Sequence, residues 1–145
     1  MNKISLIVPC YNEEANIKPF YNAITELFSK EINDADFELL FVNDGSKDNT
    51  LQEIRALHEK NSRVNCVSFS RTFGKEAALF AGIRNVTGDC TVLLDADLQH
   101  PPFVLVEMYK KWKEGYEVVE GVKSNRGKEG LFHKLFTKVF YGMIS

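Results

Sequence analysis

The feature that most limits what this chain can become is a repeated alternation between two hydrophobic periods. Ile4 to Val8 is a short, almost wholly apolar run closed by Pro9, which suits a strand buried on both faces. After it, Ile17, Phe20, Tyr21, Ile24, Leu27 and Phe28 recur at three- and four-residue steps, the stripe of an amphipathic helix. Glu13 and Glu14 fall in its first turn, where the helix dipole favours acids. The two periods then repeat. Phe37 to Val42 reads as a second strand, and Asp48 as the cap of a helix with Leu51, Ile54 and Leu57 on one side. Val64 to Phe69 alternates like a third strand, and Gly74 to Arg84 is an Ala-rich helical segment. Thr91 to Leu94 is a fourth strand. Pro101 and Pro102 then open a helix with Leu105, Met108, Tyr109 and Trp112 as its stripe. Val118 to Val122 is a weaker fifth strand.

Such alternation predicts an α/β fold, a doubly wound and mostly parallel sheet with helices on both faces. At 145 residues the chain is one domain's worth. Residues 1–122 form the expected α/β unit, and 123–145 a basic loop followed by the start of an amphipathic helix. Ligands of such sheets bind outside the carboxyl ends of the strands, so those ends are where function should be read.

The first strand runs into Pro9, Cys10, Tyr11, Asn12 and Glu13, and the second into Asn43, Asp44, Gly45 and Ser46. Taken singly, the second is ordinary turn chemistry and Glu13 an ordinary helix-start acid. The fourth strand runs into Asp95, Ala96, Asp97, Leu98, Gln99 and His100. Two carboxylates one residue apart repel each other unless a cation or a proton intervenes. Oxygen ligands from Asp97 and Gln99, with Asp95 close by, suit Mg2+ or Mn2+ and leave positions for substrate phosphates. His100 reads as structural, because its neighbours in the run are oxygen donors.

The cysteines, Cys10, Cys66 and Cys90, are scattered and form no C-x-x-C pair, which fits a reducing cytosol and small core residues. A net charge of -2 gives no sign of nucleic-acid binding. The charge is uneven, however. From Lys123 onward there are five basic residues and one acid, +4, which leaves -6 on the rest. No stretch reaches the ~18 apolar residues of a membrane span.

Four stretches, IVPCYNEEANI, FVNDGSKDNT, FSRTFGKEAALFAGI and LLDADLQHPP, resemble the family 2 glycosyltransferases, in that family's order and over almost the whole chain. Within the family they look most like the polyprenyl-phosphate sugar transferases. The resemblance implies a glycosyltransferase A-type nucleotide-binding fold and an inverting hexosyltransferase. The implied donor is a nucleoside-diphosphate sugar, with a lean towards UDP-glucose or GDP-mannose, and the implied acceptor a polyprenyl phosphate. Residue by residue, it assigns Pro9, Tyr11 and Glu13 to the first nucleotide-binding loop, and Asp44, with Val42 behind it, to the base. Asp95, Ala96 and Asp97 fall to ribose and diphosphate, and Asp97 and Gln99 to the metal. Lys123 and Arg126 would face the phosphates, with Arg71 and Lys75 in support. On this reading Asp97, Lys123 and Arg126 stabilise the leaving group.

After residue 130 the pairs Leu131-Phe132, Leu135-Phe136, Val139-Phe140 and Met143-Ile144 stack on one helical face opposite His133, Lys134, Thr137 and Lys138. An apolar face beside a basic one fits an anionic membrane surface, and the resemblance points the same way. The expectation is a fragment of a protein working at the cytoplasmic face of a membrane. Two rivals stand beside this reading: a nucleotide-sugar-binding domain without turnover, and a haloacid-dehalogenase-type phosphatase using Asp95 as nucleophile.

Overall fold

A computed structural model describes residues 1–122 of the chain. Its elements alternate as the periodicity requires: β1 (Asn2–Cys10), α1 (Glu14–Lys30), β2 (Ala35–Asn43), α2 (Thr50–Lys60), β3 (Val64–Ser68), α3 (Lys75–Arg84), β4 (Cys90–Leu93) and α4 (Phe103–Lys113). The strands form one parallel sheet in the order β3-β2-β1-β4. β1 pairs with β2 from Asn2 opposite Ala35 to Cys10 opposite Asn43, and with β4 from Ile4 opposite Cys90 to Ile7 opposite Leu93. The chain therefore winds outward from β1 to β3, then crosses back to lay β4 on the far side of β1. That reversal opens a crevice at the carboxyl ends of β1 and β4.

Alternation along the central strands divides their side chains between two cores. Ile4, Leu6 and Val8 join Phe37, Leu39 and Phe41 in a large cluster with Ile17, Phe20, Ile54, Leu105 and Met108 from α1, α2 and α4. Ile7, Leu40 and Val42 point the other way and meet Ala78 of α3. Helices thus cover both faces unequally, three against one among the described residues. α3 lies very close to β1: a Cβ on Gly82 would come 2.5 Å from the Ile7 side chain.

Among the described residues no strand is present at Val118 to Val122, where a fifth was expected. Val119 is buried, but Val118 and Val122 are 58% and 53% exposed. Glu120 and Gly121 interrupt the run with residues that pleated sheets disfavour, and one buried valine anchors the segment. Lys123, Arg126 and the amphipathic stretch from Leu131 lie outside the described residues.

At the amino ends of the strands, a buried polar cluster closes the sheet. The Glu38 carboxylate accepts from Ser5 Oγ, from the Thr87 N–H and Oγ1, and from Lys3 Nζ at 3.0 Å. Ser5 Oγ in turn accepts the Gly88 N–H at 2.8 Å. Glycine is required there, since a Cβ would stand 2.7 Å from the Lys3 carbonyl oxygen and 2.8 Å from the Ser5 nitrogen, both backbone atoms of β1.

Burial alone would raise the pKa of Glu38, but the donors from Ser5, Thr87 and Lys3 outweigh it and hold the carboxyl below its usual range. A group depressed in the folded state stabilises above its unfolded pKa and loses that contribution as pH falls through the folded one. Glu38→Gln should therefore cost about 1.5–3 kcal/mol at pH 7, the worth of hydrogen bonds to a charged group. The gap to wild type should narrow below about pH 4, as the wild-type carboxyl takes up its proton. Urea unfolding of both proteins at pH 7 and below pH 4 measures this directly.

Candidate active site

Because every strand is parallel, the loops after β1, β2, β3 and β4 all emerge on one edge. The first two are bound to each other mainly by side chains that take up loop N–H groups. Asn12 donates its N–H to Ser46 Oγ at 3.0 Å, and its Oδ1 accepts the Lys47 N–H at 2.9 Å. The Glu13 N–H reaches Thr50 Oγ1 at 2.9 Å, and the Glu14 N–H reaches Asp48 Oδ2 at 3.2 Å. Glu14 returns the bond, accepting the Asn49 N–H at 2.9 Å. Asn12 sits at φ 50°, a left-handed conformation that asparagine tolerates better than most residues. The N-cap of α2 is Asn49 rather than the expected Asp48, which accepts the Thr50 N–H at 3.0 Å while also holding the start of α1.

Asp44 joins the second loop to the third. It is buried, and its Oδ1 and Oδ2 accept the N–H groups of Phe73 at 2.7 Å and Gly74 at 3.1 Å. Its carbonyl oxygen accepts from Thr72 Oγ1 at 3.1 Å. The two loops lie so close that a Cβ on Gly45 would stand 2.4 Å from the Arg71 carbonyl carbon, and Gly45 itself holds φ +69°. The residue singled out for the base is therefore also the one that shapes the approach to α3.

The fourth loop carries the acidic run. Asp95 Oδ1 is 2.9 Å from Lys75 Nζ, the first residue of α3, and Asp95 Oδ2 is 3.9 Å from His100 Nε2. Asp97 is exposed, and its Oδ1 accepts the Gln99 N–H at 3.2 Å. Between them Leu98 adopts φ 56°. A left-handed leucine costs roughly 1–2 kcal/mol, and such strain gathers at functional loops. Beside this loop a mostly apolar cleft of about 110 Å³ opens between α1 and α4, lined by Phe20, Ile24, Leu98, Leu105 and Met108 with Asp95 at its polar side.

The structure thus brings Tyr11, Glu13, Asp44, Lys75, Asp95, Asp97 and Gln99 to one edge. It places Val42 and Ala96 differently: both side chains are buried in the cores, so they support the loops from behind. Pro9 lies within β1, opposite Val42. Cys10, at the end of β1, is no nucleophile. Burial, reinforced by Cys66, Glu13, Asp48 and Asp44, pushes its thiol up to about 12.

Sequence reasoning missed the Asp44 contacts and the Lys75–Asp95 pair, since each joins residues 20 or more positions apart. Among the described residues no three of His, Cys, Asp and Glu cluster to grip a metal unaided. The donor set of Asp95, Asp97 and Gln99 still fits Mg2+ or Mn2+: all are hard oxygen donors, too few to fill the shell, which leaves positions for a ligand's phosphates.

Comparison with known proteins gives the family. The glycosyl transferase family 2 model matches residues 5–141, and the chain belongs to that family. It is 42% identical over 142 residues to CsbB of Bacillus subtilis, a protein with a glycosyltransferase name, covering 98% of this chain and 42% of that one. It is 41% identical over 139 residues to a bactoprenol glucosyl transferase of Shigella phage SfX, covering 96% and 45%. The chain therefore spans less than half the length of these relatives. In three dimensions it superposes on a Pyrobaculum calidifontis mannosyltransferase solved with GDP-Man and Mn2+, at TM-score 0.69 and 28% identity, over 86% of this chain and 36% of that one. TarS of Staphylococcus aureus, at TM-score 0.70 and 20% identity over 97% and 28%, shares the fold. The family match leaves the phosphatase alternative without support.

Asp44→Ala should leave the Phe73 and Gly74 N–H groups without their acceptor and cost about 1.5–3 kcal/mol. Asp44→Asn, which keeps one acceptor oxygen, should fall between. Thermal unfolding measures the loss, and faster amide exchange confined at first to residues 72–75 locates it.

Proposed function

We propose that the protein transfers a sugar, with inversion, from a nucleoside-diphosphate sugar to a polyprenyl phosphate at the cytoplasmic face of a membrane. The observation that carries this is the convergence of Asp44, Lys75, Asp95 and Asp97 from three strand ends on the crevice edge of a family 2 fold. The mannosyltransferase solved with GDP-Man and Mn2+ supports the donor class and the cation, and the bactoprenol transferase supports the acceptor class.

Departure of a nucleoside diphosphate loads negative charge onto the leaving group. Asp97 and Gln99, with Asp95, would hold Mg2+ or Mn2+, which supplies Lewis-acid stabilisation of that charge. Asp44 and the loop it fixes would receive the nucleoside, with Tyr11 and Glu13 on the facing loop. Lys75 brings a cation to the phosphate side, and Lys123 and Arg126 would add two more. A lipid-phosphate acceptor is an anion already, so this chain need only position it, and no general base has to be found.

Calorimetry with UDP-glucose and GDP-mannose, with Mn2+ and with chelator, tests the donor half. One of the two should bind in Mn2+, and Asp97→Asn should weaken it by at least about tenfold, as loss of metal-site groups does. No binding of either sugar nucleotide in Mn2+ would sink the proposal.

Vesicle flotation tests the membrane half, using a chain extended to the relatives' length with any spanning segments removed. Each basic residue near an anionic surface contributes ~1 kcal/mol. Binding to anionic but not neutral vesicles is expected, and it should be lost in Lys134→Glu with Lys138→Glu. Failure to bind either kind would leave a transferase whose acceptor is soluble.

A further inference from the structure

Two carboxylates one residue apart call for a cation, and the chain supplies its own: Lys75 Nζ stands 2.9 Å from Asp95 Oδ1. The backbone under Lys75 is held, because the preceding Gly74 donates its N–H to buried Asp44 and its carbonyl oxygen accepts the Ala78 N–H that starts α3. The side chain is free to move, being 64% exposed, long and unbranched. The neighbouring basic side chains are placed otherwise. Arg71 lies over the Phe73 ring at 4.1 Å, and His100 meets the other Asp95 oxygen at 3.9 Å. Lys75 therefore combines a fixed base, a mobile charge and a partner that a divalent cation would also claim.

We infer that Lys75 exchanges partners: it neutralises Asp95 in the free protein and passes to the diphosphate when a divalent cation takes the carboxylates. This rests on the nucleotide-and-cation reading of the site. Two opposite effects follow from the one exchange. Lys75 competes with the cation while the site holds no nucleotide, and it attracts a diphosphate when no cation is present. A lysine serving only to pin the fourth loop could produce the first effect but not the second.

The test uses wild type, Lys75→Met and Lys75→Arg, each checked for an unchanged melting transition. Mn2+ alone is titrated first; UDP and GDP are then titrated in excess chelator. Lys75→Met should bind Mn2+ alone about two- to fivefold more tightly, the range set by loss of an exposed ion pair. It should bind the better nucleotide, in chelator, more weakly by a similar factor. Lys75→Arg should match wild type in both arms, since it keeps the charge. Unchanged or weaker Mn2+ binding in Lys75→Met would overturn the competition, and unchanged nucleotide affinity would overturn the exchange and leave a structural ion pair. Wild type that binds Mn2+ and nucleotide, beside an indistinguishable Lys75→Met, refutes the role of Lys75 alone. Wild type that binds neither refutes the site along with it.

Discussion

Parallel pairing around β1 is the constraint on which everything else rests. β1 has a hydrogen-bonded neighbour on each side and apolar residues on each face, so it cannot meet water anywhere along its middle. Parallel neighbours require a crossover between successive strands, and helices are the crossovers that bury their own backbone bonds. The same geometry sends all the strand-to-helix loops to one edge. Polar residues there need no partner in sequence to become partners in space.

Those partnerships are mostly side chain to backbone. What orders the loops after β1, β2 and β3 against one another is a set of oxygens taking up N–H groups that turns would otherwise leave to water. Such bonds fix position without filling space. Part of the edge therefore stays open to solvent. At the other end of the strands the same kind of bond closes a buried site: Glu38 and Ser5 take up the Thr87 and Gly88 N–H groups, with no room for a methyl group on Gly88.

Much of this was legible beforehand, and the reason is locality. Each helix stripe and each apolar run is a pattern within a dozen residues, so α1 to α4 and β1 to β4 could be read with errors only at their ends. The family's stretches are local too, which is why the acids of the site could be named. The fifth strand is missing among the described residues because Glu120 and Gly121 break the run of Val118, Val119 and Val122, and a ladder depends on a neighbour's edge as well. Asp44 was legible as a turn residue at a strand end. Its grip on Phe73 and Gly74 was not, since that depends on how two loops fall against each other after the sheet has formed.

The tie at the amino end of β4 has a mechanical side. Asp89 and Lys3 exchange two bonds of 2.7 Å there, Oδ2 accepting one N–H and the Lys3 carbonyl the other, and Gly88 is seated against Ser5. β4 is only four residues long, and its last ladder partner is Ile7. It is a short beam clamped at its root, and past its tip the acidic loop is held by buried Ala96 on one side and by the Lys75–Asp95 pair on the other. A lysine drawn away from Asp95 would thus reshape the mouth of the crevice while the sheet beneath stays still.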